Sequence, residues 1–582
     1  MKKRFLCEPL CPLWLNLPAM NPAFQETLVR VRERLLAERG AHGHWEGELS
    51  SSALSTATAV LALALVDRAH HAPLIRRGLD WLQAHANADG GWGDTVLSRS
   101  NISTTALCWA AFGLLNEANP AAEAWLAETI RGQKSAVSGQ RSEDSDQSEK
   151  SEHRTSNIEH PTRLRQEASP GQASKSPASL INHPPSSIIP SALVAAIIAR
   201  YGKDRTFSVP ILTACALAGR VSWDEVLPLP FELAVLPHQL FRWLRLPVVS
   251  YALPALIAIG QVRHYHLPAR RWLRDGARAA SLRVLAQIQP ANGGFLEAAP
   301  LTSFVVMSLA GMGLGAHPVA ARGVQFLTAS ARPDGSWPID TNLATWLTTL
   351  AVNALGPELK ESTTEVTENK RGHGGTAPLW PPSASVTSVV KDWLLAQQYR
   401  AEHPFTHAAP GGWSWTDLPG GVPDADDTAG VLLALKTLTT EVTEENRGHR
   451  EGKPPCPPPT SVPSVVSSGI EWLLDLQNGD GGMPTFCRGW GALPFDRSAP
   501  DLTAHALRAF AAWREELPPA LQKRVAAATQ HALRFLAKAQ RADGAWAPLW
   551  FGNQDAPGEE NLTYGTAQVL RCLLYTSPSP RD

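Results

Sequence analysis

One unit recurs along the chain and constrains its fold more than any other feature: a helix, a glycine-rich turn with an aromatic residue, and a second helix. Its first clear copy is RRGLDWLQAHANADGGWGDT, with Gly90, Gly91 and Trp92 at the turn, followed by NISTTALCWAAFGLL. Related turns stand at Phe295, Trp337, Trp413, Met483 and Trp546. Amphipathic segments such as RVLAQIQ, IEWLLDLQ and ALRFLAKAQ precede them, and apolar helices with an early Thr or Ser follow. Read in chain order, the turn at Trp337 belongs with the next helix, ATWLTTLAVNAL. A helix pair of this kind cannot bury its apolar face alone. Stacked pairs can, and pairs that curve and close form a ring of inner helices surrounded by outer ones. Regular alternation is missing and no Asn-Gly pair joins strand-like runs, so the expected class is all-α. In either arrangement successive second helices lie parallel, which makes their starting residues comparable.

Composition narrows the function. Among 582 residues, Lys+Arg number 53 and Asp+Glu 54, a formal net charge of −1, so no nucleic-acid partner is expected. Twenty Trp against six Tyr point to repeated Trp positions or an aromatic-lined cavity. The seven Cys show no zinc-ligand spacing and read as unpaired thiols in a reducing compartment. Glu8 and nearby prolines interrupt the apolar start, so no signal peptide is assigned. No run reaches the ~18 apolar residues of a spanning helix. The nearest, Leu246 to Gly260, reads either as a core helix or as a surface dipping into a bilayer. Polar stretches at about 133–185, 360–385 and 438–464 read as disordered or mobile inserts. The last two share TTEVTEN-like sequence starting at Thr363 and Thr439. The final residues 572–582, CLLYTSPSPRD, resemble a translated sequencing adapter and are expected to stay unpacked, with the native chain cut near Arg571.

The fourth unit departs from its siblings. Its second helix opens with Asp424, Ala425, Asp426, Asp427 and Thr428. One Asp can cap a helix start; three call for a further reason. Aligning Thr428-Ala429 with Thr503-Ala504 places Asp501 at the register of Asp426, with His505 four residues on. The neighbouring helix then brings an Asp and a His to the same end, with His505 about 6 Å deeper along parallel axes. Carboxylates that cannot all ionise keep a proton at neutral pH, and a cationic imidazole makes that proton more acidic. Such an acid facing an apolar chamber can protonate an alkene, and aromatic faces can shelter the carbocation that results. A Mg²⁺ site for a diphosphate is the competing use of these carboxylates. It is weighed lower because DADDTAG carries no Lys or Arg.

These residues resemble a known family. PGGWSWTDLPGGVPDADDTAGVLLAL looks like the acid-motif region of squalene–hopene cyclases, the class II triterpene cyclases. The turns resemble that family's QW repeats, and PDLTAHAL the helix carrying its His partner. DGAWAPLW, LTYGTA and the upstream GRVSWDEVLPLPFELAVLP are similar too, so the likeness runs from about residue 40 to 571 outside the inserts. The resemblance implies two (α/α) barrel or toroid domains around an apolar cavity: an N-terminal helix (1–39), an inserted barrel (40–335) and an acid-bearing barrel (336–571). It implies proton-initiated polycyclisation of a linear isoprenoid such as squalene to a hopene-type triterpene. The protein would be monotopic on the cytoplasmic side of a membrane, and a homodimer is suggested. Asp426 would donate the proton, with Asp424 and Asp427 beside it, His505 as partner and Asp501 in the same network. Tyr564 would orient water for reprotonation. Trp415, Phe486 and Trp550 would line the cavity. No cofactor or metal is implied.

This chain also departs from the family pattern. Met483 stands where the family has Trp, and Trp415 where it has Phe, which would narrow the chamber. Acidic residues expected on two N-terminal inner helices are replaced within SALSTATA and STTALCW. One further repeat is expected after LTYGTA, so the barrel is expected to be incomplete and activity weak or absent. Two other readings remain: a protein prenyltransferase β-subunit-like protein, whose zinc triad cannot be assembled here from Cys487 and His505, and a non-catalytic helical-repeat lipid-binding protein.

Overall fold

The computed structural model describes residues 22–143, 189–202, 205–237, 239, 252–268, 271–356, 386–404, 406–439, 461–485 and 497–576. Phe486, the two shared-sequence inserts and most of the 133–185 stretch lie outside them. The helices, in chain order, are α1 (Pro22–Ala37), α2 (Ala53–Asp67), α3 (Ala72–Ala84), α4 (Ile102–Leu114), α5 (Pro120–Glu143), α6 (Ile189–Tyr201), α7 (Arg205–Leu217), α8 (Leu253–His266) and α9 (Arg271–Ile288). They continue with α10 (Ala299–Ala310), α11 (Pro318–Ala329), α12 (Ala344–Leu355), α13 (Val386–Ala396), α14 (Ala425–Thr439), α15 (Val462–Leu476), α16 (Pro500–Trp513), α17 (Pro519–Ala539) and α18 (Leu562–Thr576). Among the described residues the one named β-ladder pairs Ser51–Ser52 with Trp337–Pro338. The all-α expectation therefore holds.

Burial separates two kinds of helix. α2, α4, α10 and α14 are buried along most of their length, which fits apolar sequences such as VLALAL and GVLLAL. The outer helices carry an apolar stripe on one side: α3 buries Leu74, Ile75, Leu79 and Leu82 and leaves its arginines outside. In the first half α2 packs on α4, α4 on α7, α7 on α8 and α10, and α10 returns to α2, which closes a ring. In the second half α12, α14, α16 and α18 pack in succession.

The turns show why the repeat exists. The indole N–H of Trp92, Trp337 and Trp546 donates to the carbonyl ten residues earlier, at Leu82, Leu327 and Leu536, at 2.7–2.8 Å. That carbonyl lies in the last turn of the outer helix, where intrahelical donors run out. The turn's backbone N–H in each case reaches a Thr hydroxyl on an inner helix: Trp92 to Thr105, Phe295 to Thr302, Trp413 to Thr428, Met483 to Thr503 and Trp546 to Thr566. Met483 keeps this backbone bond although its side chain has no N–H to donate.

The pairing of the third unit differs from its reading in chain order. The Trp337 N–H bonds Thr56 on α2 at 3.1 Å, and it is Trp45 whose N–H reaches Thr348 on α12, at 3.0 Å. The Trp45 indole bonds Leu35 on α1, again ten residues back. Hydrogen-bond partners, not chain order, decide the unit: α1 and the Trp45 turn serve α12, while α11 and the Trp337 turn serve α2. Trp45 accordingly joins a core cluster with residues 351–572, whereas Trp337 joins one with residues 53–327.

Two expectations about polar segments are corrected. α5 continues to Glu143, past the expected insert start at Gln133. α18 runs through Cys572 to Thr576, with Cys572 fully buried and Leu573 against the same core. That part of the tail is packed, because Cys572 and Leu573 continue the apolar face begun by Val569, while Leu574 stays exposed. The described half of the Leu246–Gly260 run is core helix, with Ile257, Ala258 and Ile259 fully buried. No described helix is long and apolar enough to cross a membrane. Among the described residues Cys108, Cys215 and Cys572 are buried and form no disulfide.

Candidate active site

Asp424 closes the turn that contains Trp413. Its N–H bonds the Trp413 carbonyl at 3.0 Å, and its carboxylate accepts the Asp427 N–H at 2.8 Å, which caps α14. Capping thus accounts for one acid of the three. The next N–H, on Ala425, reaches the Thr485 carbonyl at 2.8 Å and ties the helix start to the following turn. Asp424 and Asp427 are almost fully buried. Burial pushes Asp424 up to about 8; hydrogen bonds from Asp427 oppose this and the Asp426 charge adds to it. Burial and both neighbouring carboxylates push Asp427 well above its ordinary value. The pair therefore retains a proton at neutral pH.

Asp426 has a different environment. Its Oδ1 lies 2.7 Å from His505 Nδ1, with the two side chains 28% and 19% exposed. Burial alone would raise its pKa, but the His505 hydrogen bond and charge, with the Trp346 indole, hold it below the usual carboxylate value. Gly430 lies where three helices come close. A Cβ there would stand 3.1 Å from the Thr349 hydroxyl and 3.7 Å from His505 Cε1.

Asp501 and Tyr564 complete the rim. Asp501 is buried in the first turn of α16, and burial raises it to about 6; N–H groups at the helix start oppose the shift and the Asp426 charge adds to it. Burial, with Asp426 and Asp501 nearby, raises Tyr564 so that its phenol stays neutral. Its ring packs on Phe551 with centroids 4.6 Å apart.

These groups border one cavity of about 90 Å³. Its lining is layered by register. Two residues before the turn-bonded threonines 348, 428, 503 and 566 stand Trp346, Asp426, Asp501 and Tyr564. Two residues after them stand Leu350, Gly430, His505 and Gln568; Asn353, Arg508 and Arg571 form a third layer. The structure therefore brings Asp426, His505, Asp501 and Tyr564 together and puts Asp424 and Asp427 behind them. Two aromatic expectations are not met by this lining. Trp415 packs with the cluster containing Ile257, Phe295 and Val422. Trp550 is 40% exposed and its indole donates to the Thr485 hydroxyl at 2.5 Å. Sequence reasoning missed Trp346 and Phe551, which supply aromatic faces with Tyr564. Trp346 sits at the same register as Asp426 once Thr348 is known to be the turn-bonded residue. No such signal marks Phe551.

A wall with a carboxylate–imidazole pair, further buried acids and aromatic rings can move a proton in a partly dry space. Among the described residues no group of three or more His, Cys, Asp or Glu side chains is placed to hold a metal ion.

Comparison with known proteins adds the following. The model of the Squalene-hopene cyclase N-terminal domain matches residues 28–128, and that of the Squalene-hopene cyclase C-terminal domain matches residues 381–579. The chain is 30% identical over 285 residues to the terpene cyclase-glycosyl transferase fusion protein fsoA of Humicola fuscoatra, across 44% of this chain and 18% of that protein. It is 23% identical over 424 residues to the squalene–hopene cyclase of Alicyclobacillus acidocaldarius, across 62% of this chain and 59% of that one. Among solved structures, ent-copalyl diphosphate synthase from Arabidopsis thaliana aligns with a TM-score of 0.43 at 14% identity, over 90% of this chain and 54% of that one. The chain thus spans less than two thirds of the length of these relatives.

Proposed function

Because the chain belongs to the squalene–hopene cyclase family, we propose that it performs the proton-initiated cyclisation of class II terpene cyclases, with Asp426 as the acid and a linear isoprenoid such as squalene as substrate. The carrying observation is the 2.7 Å contact between His505 Nδ1 and Asp426 Oδ1 at the wall of a cavity that Trp346, Phe551 and Tyr564 share with Asp501, Arg508 and Arg571. His505 donates Nδ1–H to Oδ1. At rest Asp426 is ionised; once water returns a proton to its other carboxyl oxygen, withdrawal of electron density by the imidazole makes that proton strongly acidic. The terminal alkene accepts that proton, and carbon–carbon bonds form as the cation is passed along the chain. The rings of Trp346, Phe551 and Tyr564 attract the cation without attacking it. Loss of a proton from the final cation to water gives a neutral hopene-type product, so proton and charge balance with nothing consumed. Tyr564, held neutral beside Asp426, orients water for reprotonation.

The substrate is drawn from a lipid surface in this reading. Val235, Leu236, Tyr265, Leu273 and, at 84%, Trp272 are exposed apolar residues between 235 and 273, and exposed apolar side chains of this kind suit a bilayer interface. A scaffold or lipid-binding role explains the repeats but gives no purpose to an Asp–His pair facing a cavity.

The test is incubation of purified protein with squalene and shorter linear isoprenoids, followed by mass spectrometry of the lipid extract. Cyclised hydrocarbon is expected from the parent, with at least a 100-fold loss in Asp426→Asn. Equal turnover by that variant would sink the assignment. Co-flotation with phospholipid vesicles, lost in Trp272→Glu, tests the membrane face.

A further inference from the structure

The loop that delivers the acid motif is fastened to the other half of the protein by one buried carboxylate. Glu297 follows the Phe295 turn and is fully buried. Asn292 Nδ2 donates to both its oxygens, at 2.7 and 2.9 Å, and the Thr341 hydroxyl lies 3.4 Å from Oε2. The Gly420 N–H donates to Oε1 at 2.7 Å. Gly420 lies four residues before Asp424.

Three further observations make this a built clamp. Leu296 and Glu297 both have positive φ, 57° and 51°, a backbone state side-chain-bearing residues adopt only where their surroundings impose it. A Cβ on Gly420 would fall 2.4 Å from Glu297 Oε1 and 2.6 Å from the Gly294 carbonyl, so the contact requires glycine. The next residue is held from the opposite side: the Gly421 carbonyl accepts the Tyr399 hydroxyl at 2.8 Å and His403 Nε2 at 3.0 Å. Val422 then inserts into the cluster with Phe295 and Ile257, and Asp424 caps α14.

The geometry points to Glu297 as a positioning residue for the acid: it fixes the loop at Gly420 so that Asp424 caps α14 in the register that sets Asp426 against His505. The inference rests on Asp426 being the proton donor. Displacements of about 1 Å at a reacting group cost on the order of 100-fold in rate, and Glu297 is the anchor that ties this loop to the Phe295 turn.

Three variants test it. Glu297→Gln keeps an oxygen for the Gly420 N–H and should retain at least a third of kcat. Glu297→Asp keeps the charge but is one methylene too short, and Glu297→Ala removes the acceptor; both should lower kcat at least tenfold with KM within twofold. The second readout needs no turnover. In ¹⁵N-histidine spectra the His505 Nδ1 proton bonded to Asp426 should shift or broaden in Glu297→Asp and Glu297→Ala, but not in Glu297→Gln. If Glu297→Ala does not fold, Glu297→Asp carries the comparison. A folded Glu297→Asp with parental kcat and an unchanged His505 signal overturns the inference. If the parent cyclises no isoprenoid and the His505 signal still moves, the clamp stands and the cyclase reading falls.

Discussion

Asp426 and Asp501 sit at the same register on adjacent helices, yet titrate in opposite directions. Burial raises both, but only Asp426 has the His505 hydrogen bond that overrides it. The contrast gives two predictions. Removing the imidazole in His505→Ala leaves burial unopposed, so the Asp426 pKa rises and its proton becomes a poorer acid. kcat should fall by about 10²–10⁴-fold, and the alkaline limb of the rate profile should move to higher pH; a profile that stays in place counts against His505 as the partner. The second prediction concerns stability. Asp501 has a folded value raised from 3.8 to about 6, so between those values the folded state binds more protons than the unfolded one. Its contribution is full below the unfolded value and is lost as pH rises through about 6. Asp501→Asn, which cannot ionise, should therefore lose fewer degrees of melting temperature than the parent between pH 4 and 7. Parallel melting curves across that range would refute the shift.

At the scale of elements, each turn is one backbone N–H on one threonine hydroxyl, joined by an indole bond at Trp92, Trp337 and Trp546, and its energetic weight can be measured. Trp546→Phe keeps the ring but removes the 2.7 Å bond to Leu536, whose carbonyl then keeps the Gln540 N–H at 3.1 Å as its donor. A loss of about 1–2 kcal/mol in urea unfolding is expected, whereas Met483→Leu should cost under about 1.5 kcal/mol because no such side-chain bond exists there. Equal losses would show that the indole acts by packing alone. These elements also explain how much could be read beforehand. The Gly/aromatic turns gave the helix pairs, and the Thr-Ala alignment gave the Asp426–His505 meeting, because a threonine-anchored helix start repeats its register in three dimensions. Trp346 escaped because Trp337 precedes α12 in the chain while Trp45 is the turn bonded to it; the exchange is a tertiary event with no local signature. Trp415 and Trp550 were placed by likeness, not by register, and neither borders the cavity beside Asp426. The clamp at Glu297 was invisible for the same reason: 123 residues separate it from Gly420.

For the whole molecule the exchange of turns means that chain order and structural unit disagree. Trp45 is buried against the acid-bearing helices, its indole on Leu35 and its N–H on Thr348. Eight residues later the chain enters α2 and the other core. The return crossing is the Trp337 turn, braced by Arg332, which reaches the Glu48 carboxylate at 2.6 Å and the Ser51 hydroxyl at 2.6 Å. The segment around residues 45–52 is therefore one place where the two halves are joined. Damage there should spread by contact and not by sequence proximity. Trp45→Ala removes a large buried side chain, a change worth about 3–5 kcal/mol. Hydrogen exchange should quicken in 344–355 and 425–439, some 300 residues away, before it does in the adjacent 53–67. Trp92→Ala, a loss of similar size in the first core, should quicken 53–67 and 102–114 and leave 425–439 protected. If Trp45→Ala instead loosens its sequence neighbours first, the two cores are not divided as the turns indicate, and the N-terminal helix has no part in holding the acid in place.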